Sequence, residues 1–126
     1  YSESGKLLWD EAFWGTQSSD KGISITTDKN NDIFILGDTT GSLDSNTLNG
    51  RKDLFLSKFI KNKNQWTKIW TKQFGIKGYN NATSIKIDAE DNIYILAYSN
   101  GKLEEASDNE KGDDIYLLKL IKEENN

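Results

Sequence analysis

TTDKNNDIFILGDTTGSL (Thr26–Leu43) and, sixty residues further on, KIDAEDNIYILAYSNGKL (Lys86–Leu103) are one passage written twice. Asp28 answers Asp88, Ile33 answers Ile93, Ile35 answers Ile95, Leu36 answers Leu96 and Gly41 answers Gly101. The pair is either a binding motif used twice or a structural unit built twice. The flanking sequence decides between them.

The likeness extends in both directions. WDEAFWG (Trp9–Gly15) aligns with WTKQFG (Trp70–Gly75), with Trp14 as the extra residue, and GISITTD (Gly22–Asp28) aligns with ATSIKID (Ala82–Asp88). DIFILGDTTG (Asp32–Gly41) aligns with NIYILAYSNG (Asn92–Gly101), and DLFLSKFI (Asp53–Ile60) with DIYLLKLI (Asp114–Ile121). Matched blocks in the same order are the signature of an internal duplication. The first repeat is assigned to residues 1–61 and the second to residues 62–126.

Each block reads as a β-strand. The blocks are short, rich in Ile, Leu, Phe, Tyr, Trp and Thr, and separated by Gly, Asn, Asp and Ser. No window carries helical spacing with caps. SITTD and SIKID alternate apolar with polar residues, whereas IFIL, IYIL, LFL and IYLL are continuous apolar runs. A continuous run predicts a strand covered on both faces. Four strands per repeat, sandwiched between neighbours, are the blades of a β-propeller. The fold expected is therefore all-β, with two four-stranded antiparallel propeller blades.

Trp9 and Trp70, Phe13 and Phe74, Gly15 and Gly75, Ile25 and Ile85, Asp28 and Asp88, Asp53 and Asp114, and Lys58 and Lys119 stand at matched positions. In this order they resemble the bacterial seven-bladed β-propeller repeat family (SBBP), over nearly the whole chain. Asn31 and Asp91 stand where that family usually has a late-turn Gly, and Ala97 replaces the Gly that Gly37 keeps. The resemblance implies an exported or surface-attached bacterial protein and no single activity. Two blades do not close a ring, since about four to eight are needed. The expectation is a ring completed by further sequence or by other copies, head to tail, three or four copies closing by rotation.

Composition removes several function classes. The chain has no Cys and no His, so the commonest general base, thiolate chemistry and the commonest zinc ligands are missing together. The net charge is -4, with 16 Lys and Arg interspersed among 20 Asp and Glu. No basic stripe suited to nucleic acid results. No apolar run approaches the roughly 20 residues needed to span a bilayer as a helix.

The turn Asp28-Lys29-Asn30-Asn31-Asp32 spells D-x-N-x-D, so Asp28, Asn30 and Asp32 form a calcium candidate. Ile33 stands where the Gly of such a loop belongs, which favours a plain hairpin. Trp9 and Trp70 are expected to anchor blade packing. Trp14 and Trp66 have no repeat partner, which makes them candidates for a ligand platform such as a sugar-stacking site. The long connections 41–52 and 101–113 are placed on one face of the ring. Lys58 and Lys119 interrupt apolar strands and are expected to pair with an Asp. The carboxylate pairs Glu104–Glu105 and Asp113–Asp114 lie in charged stretches where nothing raises a pKa. The function expected is a non-catalytic scaffold or recognition platform at the cell surface or outside the cell, with a glycan or protein as ligand. Its alternatives are a lectin formed by head-to-tail assembly and a fragment of a glycoside-processing enzyme.

Overall fold

A computed structural model describes residues 4, 14–63, 65–101 and 112–122. Trp9, Phe13, the Glu104–Glu105 pair and most of the 101–113 connection lie outside the described residues. The elements run β1 (Asp20–Thr27), β2 (Ile33–Thr39), β3 (Asp53–Asn62), β4 (Gln65–Phe74), β5 (Asn80–Ile87), β6 (Ile93–Ser99) and β7 (Asp114–Leu120). A single 3₁₀ turn, Leu43–Ser45, interrupts the connection between β2 and β3.

The strands form two antiparallel sheets, β1-β2-β3-β4 and β5-β6-β7. These are propeller blades, and they do not close on themselves. The register repeats between them. Ile25 opposes Ile35 as Ile85 opposes Ile95, and a bulge at Gly22/Ser24 recurs at Ala82/Ser84. The first sheet is a complete four-stranded blade, and the second shows three strands among the described residues.

Sequence repeat and sheet are out of phase by one strand. The Trp strand β4 opens the second repeat, yet it pairs with β3 and finishes the first sheet. The repeat boundary at 61/62 therefore falls within the β3–β4 hairpin. Hydrogen bonding along a sheet edge recruits the nearest unpaired strand, whichever side of the sequence repeat it comes from.

The core lies between the sheets. Phe34, Leu36, Leu54 and Leu56 point from the first sheet into Ala82, Ile85, Ile93, Ile95 and Ala97 of the second. Trp70 packs against this cluster and meets the Phe34 ring edge-on at 6.0 Å. The blade anchor expected at Trp70 is thus in place. Leu36, Leu54 and Leu56 are wholly buried. On the opposite face of the first sheet stand Ile35, Phe55 and Phe59, alternating with the core residues along the same strands.

The continuous apolar runs predict coverage on both faces, and this holds unevenly. Phe55 and Phe59 are buried on the outer face of the first sheet. The outer face of the second sheet is open: Leu96 is 38% exposed, Tyr98 40%, Leu117 66% and Ile115 80%. The reason is positional, because among the described residues no further blade lies on that face.

Candidate functional site

Topology sorts the connections onto two ends of the blade pair. The short turns 28–32 and 88–92 lie at one end, and the connections 40–52 and 75–79 at the other. Clefts open between the blades at each end.

At the turn end, Asp28 accepts the amide hydrogens of Asn30 (3.0 Å) and Asp32 (2.9 Å) on Oδ1. Asn31 takes φ 64°, as does Asp91 in the second turn. Short polar side chains tolerate this left-handed conformation best after Gly, which accounts for their standing at the family's Gly position. Asp32 turns to Lys58, whose ammonium lies 3.6 Å away, so the Asp partner expected for Lys58 is present. Lys119 instead lies over the Tyr94 ring at 5.3 Å. The Asp28 carboxylate thus serves the turn and the Asp32 carboxylate an ion pair. Among the described residues no three acidic groups gather where they could hold a metal ion.

The twin turn is bonded more richly. Asp88 accepts from the amides of Glu90 and Asn92, both at 2.9 Å, and from Asn92 Nδ2 (3.2 Å) and Tyr94 OH (3.1 Å). The Asn92 amide is the main cause holding its carboxyl below the usual range. Asp91 bridges the blades: it accepts from the Lys29 amide and pairs with Lys122, each at 3.2 Å. A cleft of about 590 Å³ opens beside these groups, lined by Phe34, Lys58, Trp70, Lys72, Asp91 and Lys122 among others.

At the loop end, Asn49–Arg51 from one blade faces Lys77–Tyr79, Asn100 and Gly101 from the next across a cleft of about 540 Å³. The Gly78 carbonyl accepts the amides of Arg51 (2.7 Å) and Lys52 (3.2 Å), tying the two walls together. Gly78 itself sits at φ 114°, a conformation an L side chain rarely adopts. Arg51, Lys77 and Tyr79 are exposed, and neither cation has a carboxylate partner among the described residues.

Beneath this cleft lies a buried polar network that sequence reading missed. Asp53, fully buried, accepts from the amides of Asn49 (2.6 Å) and Gly50 (2.8 Å) and from Gln73 Nε2 (3.0 Å). Asn80, also fully buried, donates to the carbonyls of Lys52 (2.8 Å) and Ile76 (2.7 Å) and accepts from Tyr116 OH (3.1 Å). Burial, then the Asp53 charge, pushes the Tyr116 hydroxyl up to about 12, so it stays a donor. The one available signal was the matched pair Asp53 and Asp114, since a charge repeated at a strand start needs partners.

The tryptophans read as platforms occupy other ground. Trp14 meets Phe55 at 6.4 Å and Phe59 at 5.1 Å, both edge-on, and Lys68 lies over its ring at 5.5 Å. It packs on the outer face of the first sheet and lines a cavity of about 290 Å³ there. Trp66, paired with Lys61 near the start of β4, shares that face by register and is half-buried. Neither reaches the loop-end cleft.

Comparison with known proteins agrees with this architecture. The family model of the SBBP β-propeller repeat matches residues 14–44 and 69–104. No curated protein matches the chain. Among the described residues no helix is long and apolar enough to cross a membrane.

Proposed function

The chain belongs to the SBBP β-propeller repeat family, and from that premise we propose that it is a non-catalytic recognition module within a ring completed by further blades. The ring serves as scaffold, and the loop-end cleft presents the binding residues. A setting at the cell surface or outside the cell is part of the proposal and rests on the family resemblance.

The supporting observation is the composition of the loop-end cleft, where two blades meet. An exposed Tyr79 ring stands with two cations, Arg51 and Lys77, over a floor fixed by the Asp53–Asn80 network. The ring offers a flat apolar surface, and the cations favour a carboxylate or sulfate. A floor already hydrogen-bonded loses little freedom when a ligand arrives. An acidic sugar has both features, so the glycan reading moves from Trp14 and Trp66 to this cleft. The enzyme reading draws no support from residue types, because the chain carries no His or Cys to act as base or thiolate nucleophile.

An array of acidic and neutral glycans tests the reading, with Tyr79→Ala and Arg51→Ala as controls. The expected result is binding confined to acidic glycans and weakened about tenfold or more by either substitution, on the scale of one lost charged hydrogen bond. Binding that neither substitution changes would move the ligand site elsewhere. A wild-type chain that binds nothing would leave the scaffold role alone.

A further inference from the structure

The loop-end cleft carries a chemistry of its own, besides the ligand proposed for it. The sequence holds two Asn-Gly pairs, Asn49-Gly50 and Asn100-Gly101, and the fold brings both to the walls of this one cleft. We propose that Asn100 is a site of spontaneous modification, converted to aspartate and isoaspartate by attack of the Gly101 amide nitrogen, and that Asp53 protects Asn49 from the same reaction.

The step uses only the chain and water. The Gly nitrogen gives its proton to solvent base and attacks the side-chain carbonyl carbon of the preceding Asn. A C–N bond closes a succinimide ring, and the side-chain nitrogen leaves as ammonia. Water then opens the ring at one carbonyl or the other, which leaves aspartate or isoaspartate. Glycine favours the attack because no Cβ crowds its nitrogen.

Packing requires glycine in both pairs. A Cβ at Gly101 would collide with the Lys77 carbonyl oxygen, and one at Gly50 with the carbonyl oxygens of Gly78 and Ile76. The joint between the blades therefore sets an uncrowded nitrogen after each Asn. Both Asn residues are exposed, so exposure does not separate them. Hydrogen bonds do. The Gly50 amide donates to the Asp53 carboxylate at 2.8 Å, and the Asn49 amide donates to its other oxygen at 2.6 Å. Asp53 is fully buried. Deprotonating the Gly50 amide sets an anion against that carboxylate, and closing the ring disturbs both bonds. The Gly101 amide donates instead to the neutral Ser99 hydroxyl at 3.0 Å. Asn100 Oδ1 accepts the Tyr79 amide at 2.8 Å, a donor on the oxygen where negative charge gathers during the attack.

The first repeat has the same geometry without the reactive amide. The Ser19 amide donates to Thr40 Oγ1 at 3.0 Å, as the Tyr79 amide does to Asn100. The Gly41 amide donates to Thr39 Oγ1 at 2.9 Å, as the Gly101 amide does to Ser99. A hydroxyl thus makes the same bond in the first repeat, and the side-chain amide of Asn100 is what brings the reactivity. The consequence rests on the acidic-ligand reading above. A carboxylate at position 100 puts a negative charge into the cleft that Arg51 and Lys77 line, so modification weakens the hold on acidic sugars.

Peptide mapping by mass spectrometry tests the site, on the 126-residue chain held folded in mildly alkaline buffer and, in parallel, unfolded in urea. In the folded chain, conversion of amide to acid with isoaspartate is expected at Asn100, with Asn49 intact. In urea both are expected to convert, because Asp53 no longer holds the Gly50 amide. An Asn100 that stays an amide in the folded chain overturns the proposal, as does an Asn49 that converts there as fast as Asn100. An Asn49 that stays intact in urea as well overturns the protection by Asp53. The consequence is read separately. Asn100→Asp is expected to bind acidic glycans about two- to fivefold more weakly than fresh wild type, the scale of one exposed charge pair. Unchanged binding removes the consequence and leaves the modification standing. A wild type that binds no acidic glycan removes the ligand reading, and the peptide map still decides the modification.

Discussion

The two sheets carry nearly the same sequence and sit in opposite surroundings. Leu36, Leu54 and Leu56 are 0% exposed, while their equivalents Leu96, Ile115 and Leu117 are 38%, 80% and 66% exposed. The first hairpins share length, register and bulge, and the β2–β3 register recurs between β6 and β7, although β3 has ten residues and β7 seven. The difference lies wholly in what stands on the next face. In a repeat array, burial belongs to the interface between units more than to the unit, and stability is largely a sum of such interfaces.

Truncating one residue of each pair gives the sharpest contrast. Leu56→Ala is expected to cost about 2–5 kcal/mol, the range for emptying a filled core site. Leu117→Ala, measured by urea unfolding in dilute conditions where a single chain is observed, is expected to cost under about 0.5 kcal/mol, as exposed substitutions do. Equal losses at the two sites would break the comparison and mean that a face is covered on the second sheet even in the isolated chain.

A smaller contrast separates the polar anchors at the blade starts. Asn80 holds Lys52 of one blade, Ile76 and Tyr116 together at the buried junction. Its equivalent Asp20 accepts from Thr16 and Thr39 and is half-buried. Asn80→Ala removes the partner of the Ile76 carbonyl and of the Tyr116 hydroxyl, while the Lys52 carbonyl keeps the residue 80 amide, at about 1–3 kcal/mol. Asp20→Ala leaves the half-buried Thr16 and the buried Thr39 hydroxyl, which still accepts the Gly41 amide, and is expected to cost less. Urea unfolding of the two variants checks the order. A reversed order would move the main polar joint away from the blade junction.

Much of this was legible in the sequence, because periodicity and turn chemistry are local. The duplication, the strand positions, the Trp70 anchor and an Asp partner for Lys58 were read from the pattern, although which Asp was not. The phase of the blades was not legible. Whether the Trp strand closes its own repeat or the preceding sheet depends on which edge it meets, and that is a long-range fact. The loop-end cleft proposed as the site was not legible for a related reason. Trp14 and Trp66 lack repeat partners, yet lacking a repeat partner does not expose a ring. Tyr79, an ordinary residue in a short connection, gains its setting only when Arg51 arrives from the other blade.

The two acidic turns make the finest comparison. Asp28 accepts two backbone amides, whereas Asp88 accepts two backbone amides, an Asn92 side-chain donor and Tyr94 OH. The calcium reading ranks the first turn higher, because D-x-N-x-D begins there. The hydrogen bonds rank the second higher as a structural turn. The Asp88 carboxyl is held low, so what it contributes is present above the ordinary carboxylate pKa and is lost as pH falls through its lowered value. Asp88→Asn should therefore lower the melting temperature slightly near neutral pH, and the difference from wild type should shrink in acid. Asp28→Asn should lower it less. Adding a chelator should move neither variant nor the wild type. A chelator-dependent fall in the wild type, absent in Asp28→Asn, would return the first turn to metal binding. The two repeats would then differ in function as well as in surroundings.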